Sequence, residues 1–435
     1  MSFLNNKKNI FLIITGIIIF ILIIVILKSL PKKPQNVSLT LWGYNIEPDV
    51  LQPLIDNFEA QNPQVKINYY QKDFDSYYDT LISAYANQNA PDMFLLPGNW
   101  LPLLENHIYP LNLQKDKELN QKVINDTYPP IVQQELKEGD YLLGIPLSID
   151  TLVLYYNPNI FDYYNISKPP TSWEELKQLV PKLRKINPQK QITSAAIALG
   201  APNVDWQTDI LSNLMIQANS DISDPQQKVF TYYNRPYNSP IKDSPVLFAF
   251  KEYTQFANPL SPLYTWNQNI SNSSLKAFSE GKVAMIFAYA QDEKIIHQYA
   301  PDLGELKAPF PGINNSVFYG KTLNIVVSNQ SKNPEICWQF LKYLSSKDTS
   351  DTFLKLTNLP PSRLDLINEN MANPTMKIFA QQALLSKSWY QFNYQLIDKA
   401  FSDAVIKIIN NSQPLSVVLG QMTENLERLW RQQNQ

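Results

Sequence analysis

Cysteine is almost missing from this chain: Cys337 is the only one in 435 residues. No intrachain disulfide and no cysteine-built metal cage can form. In PEICWQFLKYL the spacing puts Ile336, Cys337, Phe340, Leu341 and Leu344 on one helical face, which predicts a buried core thiol rather than a nucleophile. Histidine is equally scarce. His107 and His297 stand in no ligand spacing, so neither a metal site nor a cofactor is expected. There are only eleven glycines, which limits where the backbone can come close to a ligand. The formal net charge is −2 and the basic residues are scattered, with no basic patch laced with aromatics; nucleic acid is not an expected partner. Internal repeats, low-complexity tracts and heptads are absent too.

What the chain does have is apolar content (44%) and length. It exceeds the roughly 250–300 residues at which one core stops growing, so two lobes are expected. Ile10–Leu27 is one long run of Ile, Leu, Phe and Val, just enough to cross a bilayer. Lysines lie on both sides of it, so charge does not set its orientation. The bulky, basic ILKSLPKK that closes it offers no cleavage signal, and an uncleaved anchor is expected. Residues 1–9 would then be a cytoplasmic N-terminus, 10–27 the transmembrane anchor and 28–36 a linker.

From residue 37 strands and helices alternate. Val37–Trp42 alternates like a strand, and Val50, Leu51, Leu54, Ile55 and Phe58 recur at helical spacing, with regular turns expected to start near Pro53. Val65–Tyr70 reads as a second strand, the stretch from Phe74 to Tyr85 as a helix, and Met93–Leu96 as a third strand. This alternation predicts a parallel sheet covered by helices, with ligands outside the carboxyl ends of its strands. Trp42, Tyr44 and Asn45 follow the first strand, and Asn99 and Trp100 the third. Farther on, Ser172 with Glu175 reads as a helix cap, residues 200–270 are irregular, and the C-terminus is helical from Leu396 to Trp430.

The chain is organised around Leu142–Asn157, LLGIPLSIDTLVLYYN. Thr151–Tyr156 is a continuous apolar run, expected to be a strand buried on both faces. Asp150 stands just before it, where the chain is expected to change direction and a second lobe to begin. A carboxylate beside such a strand needs a partner. The expectation is that Asp150 looks into a crevice between the lobes, opposite Trp42.

In this order the segments LTLWG, FEAQNPQV, APDMF, LLGIPLSIDTLVLYYN with PPTSWEEL, FSEGKVAM and NPEICWQFLKYLSS resemble the extracellular solute-binding proteins of ABC importers, in the large family that holds the maltose-type sugar binders. The resemblance spans about residues 37–430. It implies a two-lobed periplasmic-binding-protein-like α/β fold with an interlobe cleft, here preceded by one transmembrane helix. Lobe 1 would be 37–149 completed by 307–362, and lobe 2 would be 150–306 completed by 363–435. It further implies hinge closure on a sugar, delivery to an ABC permease with its ATPase subunits, and no catalytic residues. The location would be the cell membrane, single-pass, with the binding domain outside the cytoplasm. Two departures stand out: IFAYAQ follows the AM of FSEGKVAM, leaving Tyr289 as the aromatic there, and the usual glycine-rich stretch before Asn324 is reduced to FYGKTLN.

A sugar presents a flat C–H face and a rim of hydroxyls, which aromatic faces and a few polar groups can match. Trp42, Tyr44, Trp100, Trp206, Trp266, Tyr289 and Trp389 are the aromatic candidates, while Asn45 and Asn99 could bond hydroxyls. Asp150 matches the position of an acidic ligand residue in relatives, and Arg363 could meet an acidic sugar or Asp150. Other readings remain open: a peptide, a polyamine or ferric iron on the same fold, or a secreted glycoside-active enzyme pairing Asp150 with Glu47, Asp92 or Asp205.

Overall fold

The structure is a computed structural model that describes residues 36–432 apart from 190, 219–220, 235–240 and 313–316, together with residues 15 and 16. The apolar run at 10–27 otherwise lies outside the described residues. Among the described residues no helix is long and apolar enough to cross a membrane.

The alternation read from residue 37 folds as β1 (Val37–Gly43), α1 (Pro48–Gln61), β2 (Val65–Gln71), α2 (Phe74–Ala86) and β3 (Met93–Pro97). β1 pairs in parallel with both β2 and β3. Helix α1 starts at Pro48 rather than near Pro53, because a proline early in a helix forfeits only one bond toward the first turn. Asp73 caps α2 by accepting from the Ser76 N–H. In α1, Leu51, Leu54, Ile55 and Phe58 are buried.

The organising stretch is two strands, not one. β4 (Gly144–Thr151) lies in the first sheet and β5 (Val153–Tyr156) in the second, so the chain crosses between sheets at Leu152. Next come α3 (Trp173–Leu183), capped by Ser172, then β6 (Ile192–Ile197) and α4 (Gln207–Gln217). The supposedly irregular 200–270 region thus contains α4 and a further helix at Pro245–Thr254. β7 (Val283–Ala288) pairs with β5 and β6, and β8 (Leu306–Ala308) pairs with β5. β9 (Phe318–Val327) pairs antiparallel with β3 and β4, and at Phe318–Tyr319 in parallel with Ser386–Lys387. α5 (Pro334–Ser345) buries Cys337, whose thiol burial pushes up to about 12. α6 (Tyr394–Ile409) and α7 (Leu415–Gln432) end the described chain.

Two cores result. The first gathers Leu39, Phe94, Ile145, Ile325 and Leu341, the second Leu154, Ile197, Leu214, Ile286 and Phe401. The lobe limits differ from those expected. Leu366, Ile367, Ala380 and Ala383 pack in the first core, while Ala308, Phe310, Phe318 and Tyr319 pack in the second. Strand pairing is the cause: β8 must bond to β5, and β9 runs from one core into the other.

Candidate functional site: the interlobe crevice

Where β4 and β9 pass from one core to the other, the lobes face each other across a crevice. A cavity of about 610 Å³ is lined from lobe 1 by Gly98, Asn99 and Glu135 and from lobe 2 by Ile216, Trp389 and Gln391. Gly98 leaves room for the Glu135 carboxyl, which a Cβ there would strike. Glu135 accepts from the Thr322 hydroxyl, and burial lifts its carboxyl to about 7. Beyond the cavity, Lys294 of lobe 2 reaches Glu47 of lobe 1 at 2.7 Å, an exposed tether of small energetic weight. A second hollow, of about 530 Å³ on lobe 1 between Val37, Glu59 and Lys66, lies away from this junction.

Outside the lining of that cavity, a polar cluster forms on the crossing strands around the register pair Asp150–Lys321 of β4 and β9. Asp150 accepts from its neighbour's Thr151 N–H at 2.8 Å and from the Ala290 N–H of lobe 2 at 2.9 Å. Burial, and then the nearby Asp292, push its carboxyl well above the usual range. Asp292 itself accepts from the Trp206 indole N–H at 2.7 Å and the Tyr289 N–H at 2.9 Å, and burial lifts it to about 7. Trp206 caps α4 with φ 61°, a left-handed conformation that is strained for a bulky side chain. That geometry sets its ring under Lys321, whose Nζ is 3.9 Å from the ring centroid and 3.2 Å from Asp209 Oδ2. The Tyr289 hydroxyl donates to the same Asp209 oxygen at 3.0 Å.

Among the described residues, eight buried side-chain atoms on seven residues have no hydrogen-bond partner. Six of the seven belong to this junction: Asn99, Gln207, Asp209, Asn213, Asn324 and Gln391. Buried polar groups are otherwise nearly always paired, so this concentration sets the junction apart from the lobe interiors.

Of the residues expected from sequence, Asn99 and Trp389 line the cavity, while Asp150, Trp206 and Tyr289 belong to the cluster around Asp292 and Lys321, which does not line it. The others are placed differently. Tyr44 is buried against Phe74 and Tyr77, and Trp100 stacks on Phe74 at 5.5 Å, so both fill the lobe 1 core. Trp266 is fully buried and donates to Asn203 Oδ1. Arg363 grips Asp365 with two nitrogens and donates to the Ser345 carbonyl, not to Asp150. Asn45 is exposed at a turn with φ 53°. Trp42 is half-buried with Lys72 Nζ 4.3 Å over its ring, and Asp150 is bonded within the crossing segment rather than facing Trp42 from an opposite wall. None of the acids considered as a hydrolase partner binds it. Glu47 holds Lys294, Asp92 holds Thr40 and Ser331, and Asp205 holds Ser273 and Ser274.

Sequence reasoning missed Lys321, Asp209, Asn213, Asp292 and Glu135. One signal was available: FYGKTLN puts Lys321 where a glycine-rich stretch would leave open space.

The sequence matches the profile of the family described as bacterial extracellular solute-binding protein over residues 44–350, more than half of the chain. The chain belongs to that family. A probable ABC transporter-binding protein of Deinococcus radiodurans is 22% identical over 365 residues, covering 79% of this chain and 81% of the relative. Among solved structures, the sugar-binding protein MalE of Xanthomonas citri superposes with a TM-score of 0.73 at 17% identity, covering 91% of this chain and 98% of that one. An ABC transporter solute-binding protein of Thermotoga lettingae, bound with α-D-tagatose, gives 0.71 at 18% identity over 90% and 99%. These likenesses establish the two-lobed α/β fold. As a family member the chain is a solute-binding protein and not an enzyme, and its binding domain works outside the cytoplasm.

Proposed function

We propose that this solute-binding protein takes a carbohydrate, an oligosaccharide, into the interlobe crevice and delivers it to an ABC permease driven by ATPase subunits. The observation that carries the reading is the group of unpartnered polar side chains at the lobe junction, flanked by Trp206, Tyr289 and Trp389. Hydroxyls bond such amides and carboxylates, and aromatic faces suit the sugar's C–H face. The Xanthomonas and Thermotoga neighbours, described as sugar-binding and as tagatose-bound, favour the same class. Ile10–Leu27 would tether the protein to the outer face of the cytoplasmic membrane, with residues 28–36 as spacer.

The lobes would close on their solute as a hinge, with β4 and β9 as the bending strands. Tryptophan fluorescence of the full-length protein, titrated with an oligosaccharide panel, should give a saturable change without product formation, and Trp206→Phe should remove most of the signal. A flat response to every sugar alongside a response to a peptide or metal would overturn the ligand class. Fractionation of the full chain against one starting at residue 37 tests the anchor, the shorter chain being expected in the soluble fraction.

A further inference from the structure

The walls of the cavity between the lobes are poor in positive charge. Among the described residues that line it, Glu105, Glu135, Asp221 and Asp224 carry carboxyls, and Lys387, which is exposed, is the only cation. Three other cations are each held by a carboxylate and do not line the cavity. Lys321 Nζ lies 3.2 Å from Asp209 Oδ2, Lys294 meets Glu47 at 2.7 Å, and Arg363 holds Asp365 with two nitrogens. A carboxylate or phosphate on a solute needs a cation, or several N–H donors, turned toward it. The cavity gathers none of these beyond Lys387.

The groups of the wall itself respond in the same sense. Burial lifts Glu135 to about 7, although hydrogen bonds from Ser388 and Thr322 pull the other way. Burial and then Glu138 raise the Glu105 carboxyl. The Tyr390 hydroxyl, on the same wall, is raised by burial and then by Glu105 and Glu138. A wall that keeps protons on its own carboxyls offers little net charge to draw in a cation. It also penalises an incoming anion for the reason that it penalises its own. Uncharged hydroxyls escape both effects, because they donate to or accept from amides and carboxyls in either protonation state.

We propose that the crevice selects an uncharged sugar and rejects sugars that carry a carboxylate or a phosphate. Trp389 supplies an aromatic face at the wall, Asn99 and Gln391 supply amides, and the scarcity of cations supplies the rejection. The inference rests on the crevice being a carbohydrate site.

Calorimetry on the full-length protein in detergent, with matched probes, separates the two. Maltotriose and triacetylchitotriose are the neutral parents. Each is compared with its form oxidised at the primary hydroxyls, which carries carboxylates, and with the methyl ester of that form, which keeps the bulk without the charge. The glucosamine trimer is the cationic counterpart. A parent should bind at least about tenfold more tightly than its oxidised form, with the ester within about threefold of the parent. Gln226→Lys adds a cation at an exposed position of the wall and should narrow that gap to about threefold. Oxidised forms that bind as tightly as their parents overturn the inference and keep the carbohydrate reading. So does an ester as weak as the carboxylate, which makes the loss one of size, or a gap that Gln226→Lys leaves untouched. A glucosamine trimer that outbinds triacetylchitotriose overturns it as well, by making the wall cation-selective. Binding of no sugar probe removes the carbohydrate reading itself.

Discussion

Asp205, in the turn before α4, and Asp209, in its first turn, behave as opposites. The Asp205 carboxylate accepts from the Ser273 and Ser274 hydroxyls and the Leu275 N–H, all between 2.8 and 2.9 Å, which ties a loop to the start of a helix. Asp209 is more deeply buried, yet one of its oxygens has no partner at all. The same contrast separates the lobe interiors from the seam between them. Inside the lobes, Trp266 finds Asn203, and Tyr77 finds the Leu95 carbonyl. At the seam, amides and a carboxylate are buried and left half-bonded. Leaving such groups unmet costs about 1–3 kcal/mol each. A fold that carries several of them in one place gives up stability there, whereas among the described residues outside the seam only Ser244 Oγ is left unmet.

The contrast can be broken most visibly at Trp266. Trp266→Ala should cost about 3–5 kcal/mol in denaturant unfolding, with solute affinity of the folded fraction unchanged. A loss of affinity at full stability would put Trp266 back in the site. Next in size is the aspartate pair. Asp205→Ala should destabilise by about 2 kcal/mol without touching affinity. Asp209→Asn keeps an oxygen for the Tyr289 and Lys321 donors, so it should destabilise less than Asp205→Ala, by about 1 kcal/mol, and should weaken solute binding about tenfold or more. Equal stability losses in the two variants would erase the distinction between lobe and seam.

A smaller effect is expected from pH. Glu135 and Asp292 are raised by burial to about 7, so the folded state holds their protons more tightly than the unfolded chain does. Their contribution to stability is fully present below the unfolded carboxyl range near 4 and is lost as pH rises toward about 7. Melting temperature followed across that window should fall, and Glu135→Gln should flatten part of the slope. A curve for the variant parallel to wild type would contradict the assignment. Least of all, Lys294→Met removes an exposed tether across the mouth. It should change affinity by no more than about threefold, an effect that salt reproduces in the wild type. A larger change would make the tether a true latch.

Much of lobe 1 was legible because its signals are local. Alternating strands and the helical stripes of α1 and α2 need only neighbouring residues. The crossing near Asp150 was also visible in outline, although the break at Leu152 was not, since an apolar run looks the same whether it serves one sheet or two. Tyr44, Trp100 and Trp266 show why aromatic candidates mislead: a tryptophan after a strand suits a core as well as a cleft. The seam itself is assembled from α4, β9 and the turn after β7, far apart in sequence. Helix α4 is buried on every side, so its polar residues fall on no solvent face and its sequence shows no stripe to read. Asp209, Asn213 and Lys321 acquire meaning only once these elements meet.

Hydrogen exchange on the full-length protein tests the central claim most directly, using the tightest-binding sugar of the panel at saturation. If the seam is completed by solute, protection should rise in α4, in the 289–292 turn and along β9, while the lobe interior around Trp266 stays as it was. Protection confined to other surfaces, or none in these three segments with solute demonstrably bound, would contradict the account.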